Sequence, residues 1–206
     1  MRVILINGSP EQEGCTYTGL SIAAEALHAE GVETRMLQLG QQAMEGCRAC
    51  HYCFKHDGCV IDDQVNEFVA MAKEADGFIF GSPVHYAAAG GTITSFMDRA
   101  FFSARGKPYR GKPAAAIVCC RRGGSSAALD QLHKYFSISQ MPIVSSVYWN
   151  MIHGNTPEEV MRDEEGVQVM RVLGRNMAWL LKCIAAGREA GVDFPAQEKR
   201  VWTNFI

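Results

Sequence analysis

No basic run, no long apolar stretch and neither of the common glycine signatures for nucleotides occurs in this chain, and each absence removes a function class. Lysine and arginine total 20 against 22 acids, a formal charge of −2, so there is no basic stripe for a nucleic-acid backbone. No apolar stretch reaches the roughly 18 residues that span a bilayer, which argues against a membrane protein. The opening is one arginine and a short apolar run stopped by Asn7-Gly8, too little for a secretory leader. Without an export signal, the 8 cysteines point to a cytoplasmic protein, in which they remain thiols or bind metal. Gly-x-Gly-x-x-Gly and Gly-Lys-Ser/Thr are both missing, so neither a dinucleotide pyrophosphate nor a nucleoside triphosphate is the natural ligand.

What is present is a repeated strand exit. Gly8-Ser9-Pro10 and Gly81-Ser82-Pro83 each follow a short apolar run, Val3 to Ile6 and Phe78 to Phe80. In an open parallel α/β sheet, ligands sit outside the carboxyl ends of the strands near the switch point, so two like exits line one crevice. Apolar runs alternate with helix-period segments, and the pattern predicts strands at about 2–7, 33–38, 77–82, 113–120 and 142–148. Helices are expected over about 16–30, from Asp62-Asp63 to before Asp76, over about 91–103, and after Ser126. A last helix is expected from Thr156-Pro157-Glu158-Glu159 to about Gly187, on its N-cap, its Pro at N1 and its capping-box Glu. Right-handed crossovers then give a doubly wound five-stranded parallel α/β sheet of order 2-1-3-4-5. One domain over residues 1–193 is expected, with a cysteine-rich loop at 46–60. A tail at 194–206 carries Trp202 and Phe205 and suits docking on the body or on another subunit.

The first loop, Gly8 to Thr18, brings free backbone N–H groups, those of Cys15 and Tyr17 among them, and the hydroxyls of Ser9, Thr16 and Thr18 to a helix N-terminus. Amides and helix dipole favour a dianion, and a terminal phosphate monoester fits best. A plain turn and cap would also explain Gly8, Ser9 and Thr16, but the loop is longer than capping requires. The second loop, Pro83-Val84-His85-Tyr86 followed by small residues, offers a slot for a flat redox-active heterocycle, or else a surface Pro turn. The third, Arg121-Arg122-Gly123-Gly124, brings guanidinium charge that offsets a reduced ring or a cofactor phosphate; solvated surface charge is the other reading of Arg122. Cys47, Cys50, Cys53 and Cys59 are spaced C-x2-C-x2-C-x5-C. Such a quartet suits an iron–sulfur cluster, tetrahedral zinc, or free and redox-labile thiols, and spacing alone leaves these open. Cys119, Cys120 and Cys183 fall in strand or helix patterns and read as core thiols, and the methionines of the last helix read as packing.

Taken together, the loops resemble the flavodoxin-like NADPH-dependent FMN reductase family. The resemblance rests on Asn7-Gly8-Ser9-Pro10 with Gly14 and Thr16, on Gly81 to Tyr86, on Phe96-Met97-Asp98-Arg99 and on Trp202 to Ile206, and spans nearly the whole chain. It implies FMN as cofactor. Its phosphate falls on Ser9, Thr16 and Thr18, its ring against Pro83, Val84, His85 and Tyr86, with Arg121, Gly123 and Gly124 along the edge. Cys15 stands where the family usually has Asn, so only its amide is expected to serve. The iron-sulfur flavoprotein branch has a compact cysteine motif of this kind, which implies a [4Fe–4S] cluster on Cys47, Cys50, Cys53 and Cys59. The expected activity is transfer of reducing equivalents from NAD(P)H to a small acceptor such as a quinone, a nitro or azo compound, or free flavin. Two rivals stand beside it: electron transfer with a ferredoxin-like protein, and a non-enzymatic flavin or thiol redox sensor. The flavin itself does the chemistry, so no catalytic side chain is expected, and a homodimer or homotetramer is implied.

Overall fold

A computed structural model describes residues 1–204. Its elements are β1 (Arg2–Asn7), α1 (Cys15–Ala29), β2 (Glu33–Gln38), a 3-10 turn at Tyr52–Phe54, α2 (Gln64–Glu74), β3 (Gly77–His85) and β4 (Ala88–Ala89). There follow α3 (Gly91–Ala104), β5 (Ala114–Cys120), α4 (Ser125–Ile138), β6 (Met151–His153), α5 (Pro157–Val160) and α6 (Glu164–Glu189). The parallel strands lie in the order β2-β1-β3-β5-β6, while β4 folds back antiparallel on β3. Apart from that short hairpin, this is the expected 2-1-3-4-5 order.

Period-two alternation assigns the strand residues to two layers. Ile4, Ile6, Phe78, Phe80, Ala114 and Ala116 face α2, α3 and α4, where Phe68, Phe96, Phe101 and Phe136, with Tyr109 from the turn after α3, form an aromatic core. Val3, Leu5, Ile79, Ala115 and Ile117 face α1 and α6 through Leu20, Leu27, Met170, Leu173 and Met177. Burying each such large side chain contributes about 1.5–3 kcal/mol, so strands apolar on both faces belong in the middle of this sandwich.

Two expectations fail. Residues 142–148 are not a strand: only Ile143 bridges to Ala114, and the fifth parallel strand is β6, paired with Val118 to Cys120. The segment is pulled off the sheet by side-chain bonds. Ser146 Oγ donates to Val169 O at 2.7 Å, and Asn150 Nδ2 donates to Val144 O at 3.3 Å, leaving Val147, Tyr148 and Trp149 exposed. The Thr156 cap also does not start a long helix. Thr156 Oγ1 accepts from Glu159 N as an N-cap should, while the Glu159 carboxylate accepts from Asn155 N, one residue before the N-cap, and together these bonds close only the single turn α5. A second cap, Asp163, accepts from Gly166 N at 3.0 Å and restarts the chain as α6.

At the carboxyl end, Phe194 lies under the Arg110 guanidinium, 4.7 Å from its ring centroid, so the start of the tail docks on its own body. Trp202 is exposed, and Phe205 and Ile206 lie outside the described residues. Helices α1 and α6 meet at Gly174, where an added Cβ would stand 2.5 Å from Ala23 O and 2.7 Å from Ala26 Cβ. Gly174→Ala is therefore expected to destabilise the protein by about 1–3 kcal/mol in urea unfolding.

Candidate functional site

The two Gly-Ser-Pro turns touch. Asn7 of β1 pairs in register with Gly81 of β3, and the next amide, Gly8 N–H, donates to Gly81 O at 2.9 Å. Neither glycine has room for a side chain. A Cβ on Gly8 would lie 2.5 Å from Ile93 Cβ, and one on Gly81 would lie 2.7 Å from Leu20 Cδ1 and 2.9 Å from Thr16 Cγ2. With the exits held this closely, a cleft of about 780 Å³ opens at the carboxyl ends of the strands. It brings together Ser9, Cys15, Thr16, Pro83, Val84, His85 and Arg121, and leaves Tyr17, Thr18, Tyr86, Gly123 and Gly124 outside its lining.

Helix capping divides sharply along the chain. α2, α5 and α6 carry side-chain caps (Asp63, Thr156 and Asp163) and acids in their first turns. α1, α3 and α4 have glycine at the N-cap, no side-chain cap and no acid in the first turn. Gly14, Cys15 and Thr16 place the bare end of α1 in the cleft, so its first amides and positive dipole end face that space. Ser9 Oγ accepts from Glu11 N at 3.1 Å, which leaves its proton free to donate. The Thr18 hydroxyl instead donates to Gly14 O at 3.1 Å.

Two residues that sequence reasoning did not assign to the site shape this loop. Buried Asn7 accepts from Ser9 N at 3.1 Å and donates to Glu11 O and Gln12 O, while Gln38 Nε2 donates to Ser9 O at 2.8 Å. An Asn closing an apolar strand is a visible signal, but Gln38 has none until β1 and β2 pair and set it opposite Asn7.

In the second loop Ser82 Oγ donates to Pro83 O and accepts from Gly90 N, so this serine builds the turn. Tyr86 and Ala87 adopt φ of 51° and 60°, reversing the chain into β4 and leaving Tyr86 fully exposed. Gly124, at φ 94°, packs the third loop against Ala87, where a Cβ would come within 2.5 Å of Ala87 Cα. Cys119 and Cys120, expected as core thiols, are buried yet also line the cleft. Burial raises the Cys119 and Cys15 thiols above the usual thiol range, and each thiol influences the other. The turn from Gly154 to Pro157 supplies a fourth wall that the sequence did not suggest.

The four loop cysteines gather elsewhere. Cys47, Cys50, Cys53 and Cys59 line one cavity of about 20 Å³ together with Arg99. Left-handed Ala49 (φ 51°) and His51 (φ 56°) bend the chain between successive thiols. Among the described residues, no three of His, Cys, Asp and Glu stand at the spacing that holds a single metal ion. Arg99 anchors the loop: it forks onto Asp63 at 2.6 and 2.9 Å, donates to Ile61 O at 3.0 Å, and directs Nε at Cys59 Sγ at 3.4 Å. Asn66 grips Cys59 by both backbone groups, at 2.7 and 3.0 Å. Burial pushes the Cys53 thiol up, and charge on Cys47, Cys50 and Cys59 adds to the effect.

The profile of the family described as NADPH-dependent FMN reductase matches residues 1–156. An iron-sulfur flavoprotein of Methanocaldococcus jannaschii is 33% identical over 191 residues, 89% of this chain and 99% of that one. A second from the same organism is 31% identical over 185 residues, covering 83% and 92%. Among solved structures, a flavodoxin from the domain Archaea superposes with a TM-score of 0.59 at 15% identity, over 88% of this chain and 99% of that one, a likeness of fold. No helix among the described residues is long and apolar enough to cross a membrane.

In reduced, metal-free protein, iodoacetamide is expected to modify exposed Cys47, Cys50 and Cys183 first. Cys53 should lag, because a raised pKa leaves less thiolate at a given pH, and Cys119 should react only after unfolding. Peptide mass spectrometry over a time course gives that order directly.

Proposed function

Because the chain belongs to the NADPH-dependent FMN reductase family, in its iron-sulfur flavoprotein branch, we propose that it is an FMN-dependent oxidoreductase whose four loop thiols hold an iron–sulfur cluster. The observation that carries the reading is the uncapped N-terminus of α1, with no acid in its first turn, opening into a cleft that Glu11 and Glu13 also line. A phosphate monoester suits it: the first-turn amides and the Ser9 and Thr16 hydroxyls donate without adding charge. Pro83, Val84 and His85 then form one wall for a flat ring and Arg121 offsets its negative charge when reduced. FMN, when bound, supplies one- and two-electron chemistry, while the chain's part is to bind it, orient it and restrict water.

The donor set of the loop fits a cluster: four thiolates are soft ligands of the kind iron–sulfur clusters take, and all four line one cavity.

NAD(P)H is the reductant in this reading and a small molecule such as a quinone the acceptor. The ferredoxin-like partner is favoured by a different feature, a cavity of about 750 Å³ beside the cysteine loop. Lys55, Lys73, Arg105, Lys107 and Lys112 wall it against the single carboxylate of Asp57, a surface complementary to an acidic electron carrier. Exposed Val147, Tyr148, Trp149 and Trp179 offer apolar surface for the expected homodimer or homotetramer.

Ser9→Ala with Thr16→Ala should weaken FMN binding about 100-fold, the loss expected for two charge-assisted hydrogen bonds. An unchanged fluorescence titration would remove the phosphate from this loop. Anaerobically isolated protein should contain iron and acid-labile sulfide, with visible absorption lost in Cys50→Ser. If both elements are absent while NAD(P)H still reduces a quinone, the protein is a simple flavin reductase; with neither cluster nor turnover, it is a sensor.

A further inference from the structure

Ser103, on α3, is buried, and its Oγ has no hydrogen-bond partner. Leaving a buried hydroxyl unpaired costs about 1–3 kcal/mol, an outlay that alanine would avoid. The position is not arbitrary. Ser103 follows Arg99 by four residues, so the two stand one turn apart on the same face of α3, and both line the small cavity of Cys47, Cys50, Cys53 and Cys59. Arg99 is fully buried, with its outer nitrogens committed to Asp63, Ile61 O and Met44 Sδ and its Nε turned to a thiol, that of Cys59. α3 therefore places one engaged donor, Arg99, and one idle donor, Ser103, at the wall of the cysteine cavity, which Ser103 shares with the larger lysine-walled cavity beside it.

We propose that Arg99 and Ser103 are the residues through which the protein sets the reduction potential of the cluster. The inference rests on the reading that the four thiols ligate iron and sulfide. One-electron reduction makes the centre more negative, so a cation and hydrogen-bond donors facing its sulfurs favour the reduced state and raise the potential. Asp63 offsets part of the Arg99 charge, but it lies on the far side of the fork and leaves Nε–H directed at Cys59. The Ser103 hydroxyl has no acceptor among the protein groups; cluster sulfur supplies one. Neither residue is a ligand, and each acts by positioning a donor.

The two states of the protein give opposite expectations for one substitution. In the metal-free protein Ser103→Ala removes a hydroxyl that bonds nothing, so the melting temperature should hold or rise. In the iron-loaded protein it should lower the potential. The measurement is an anaerobic redox titration followed by electron paramagnetic resonance. Dithionite supplies one electron per cluster and is itself oxidised to sulfite, and iron and sulfide are quantified in every sample. Ser103→Ala is expected to shift the one-electron equilibrium about threefold toward the oxidised form, and Ser103→Thr, which keeps the hydroxyl, to restore it. Arg99→Lys keeps the charge but loses the fork and the Nε donor; about a tenfold shift is expected, or about 59 mV for one electron. A full cluster whose potential does not move in Ser103→Ala overturns the assignment while leaving the iron–sulfur reading intact. Wild-type protein without iron and sulfide overturns both.

Discussion

The contact between Gly8 N–H and Gly81 O is the constraint on which the cleft depends. It holds the exits of β1 and β3 so close that no side chain fits at either position, and Leu20, Ile93 and Thr16 fill the space around them. From there the geometry propagates. Asn7 and Gln38 tie down the first loop, Ser82 ties down the second, and the end of α1 is left facing open space between them. A methyl group at Gly8 would have to displace backbone as well as Ile93, which makes this rim rigid rather than adaptable.

The caps are unevenly spread: Asp63, Thr156 and Asp163 close the N-termini of α2, α5 and α6, while α1, α3 and α4 start on glycine. Of the glycine-capped ends, that of α1 lines the cleft, and glycine there costs roughly a few tenths of a kcal/mol in helix stability. Asp63 does double duty: one carboxylate caps α2 through Val65 N and receives the Arg99 fork, so the second helix, the third helix and the cysteine loop share one ion pair, buried on the Arg99 side and partly exposed on the Asp63 side. Removing Asp63 would strand the Arg99 charge in the interior.

Much of the site was legible in the sequence because it is local. The echo of Gly-Ser-Pro after two apolar runs foretold one crevice, and turn, hydroxyls and helix start all lie within eleven residues of Gly8. The cysteine spacing likewise announced a common thiol site, and the structure gathers those four residues around one cavity. Other features depend on residues far apart in the chain. Thr18 carried the same hydroxyl signal as Ser9 and Thr16, yet its position in the first turn of α1 sends it back to Gly14 O. Residues 142–148 had the β-branched run of a strand, but side-chain bonds to α6 and within the segment outweighed propensity.

Sequence alone determined the layered sheet, the strand order, the glycine turn that opens α1 and the kinship with FMN reductases, because period-two strands, glycine turns and short motifs are written in neighbouring residues. Tertiary structure alone decided that Gln38 braces Ser9, that Cys15 meets Cys119, that Gly154 to Pro157 closes the cleft, and that Arg99 and Ser103 face the cysteines from α3. Those pairings join residues from separate elements, and only packing of the apolar faces brings them within reach of one another.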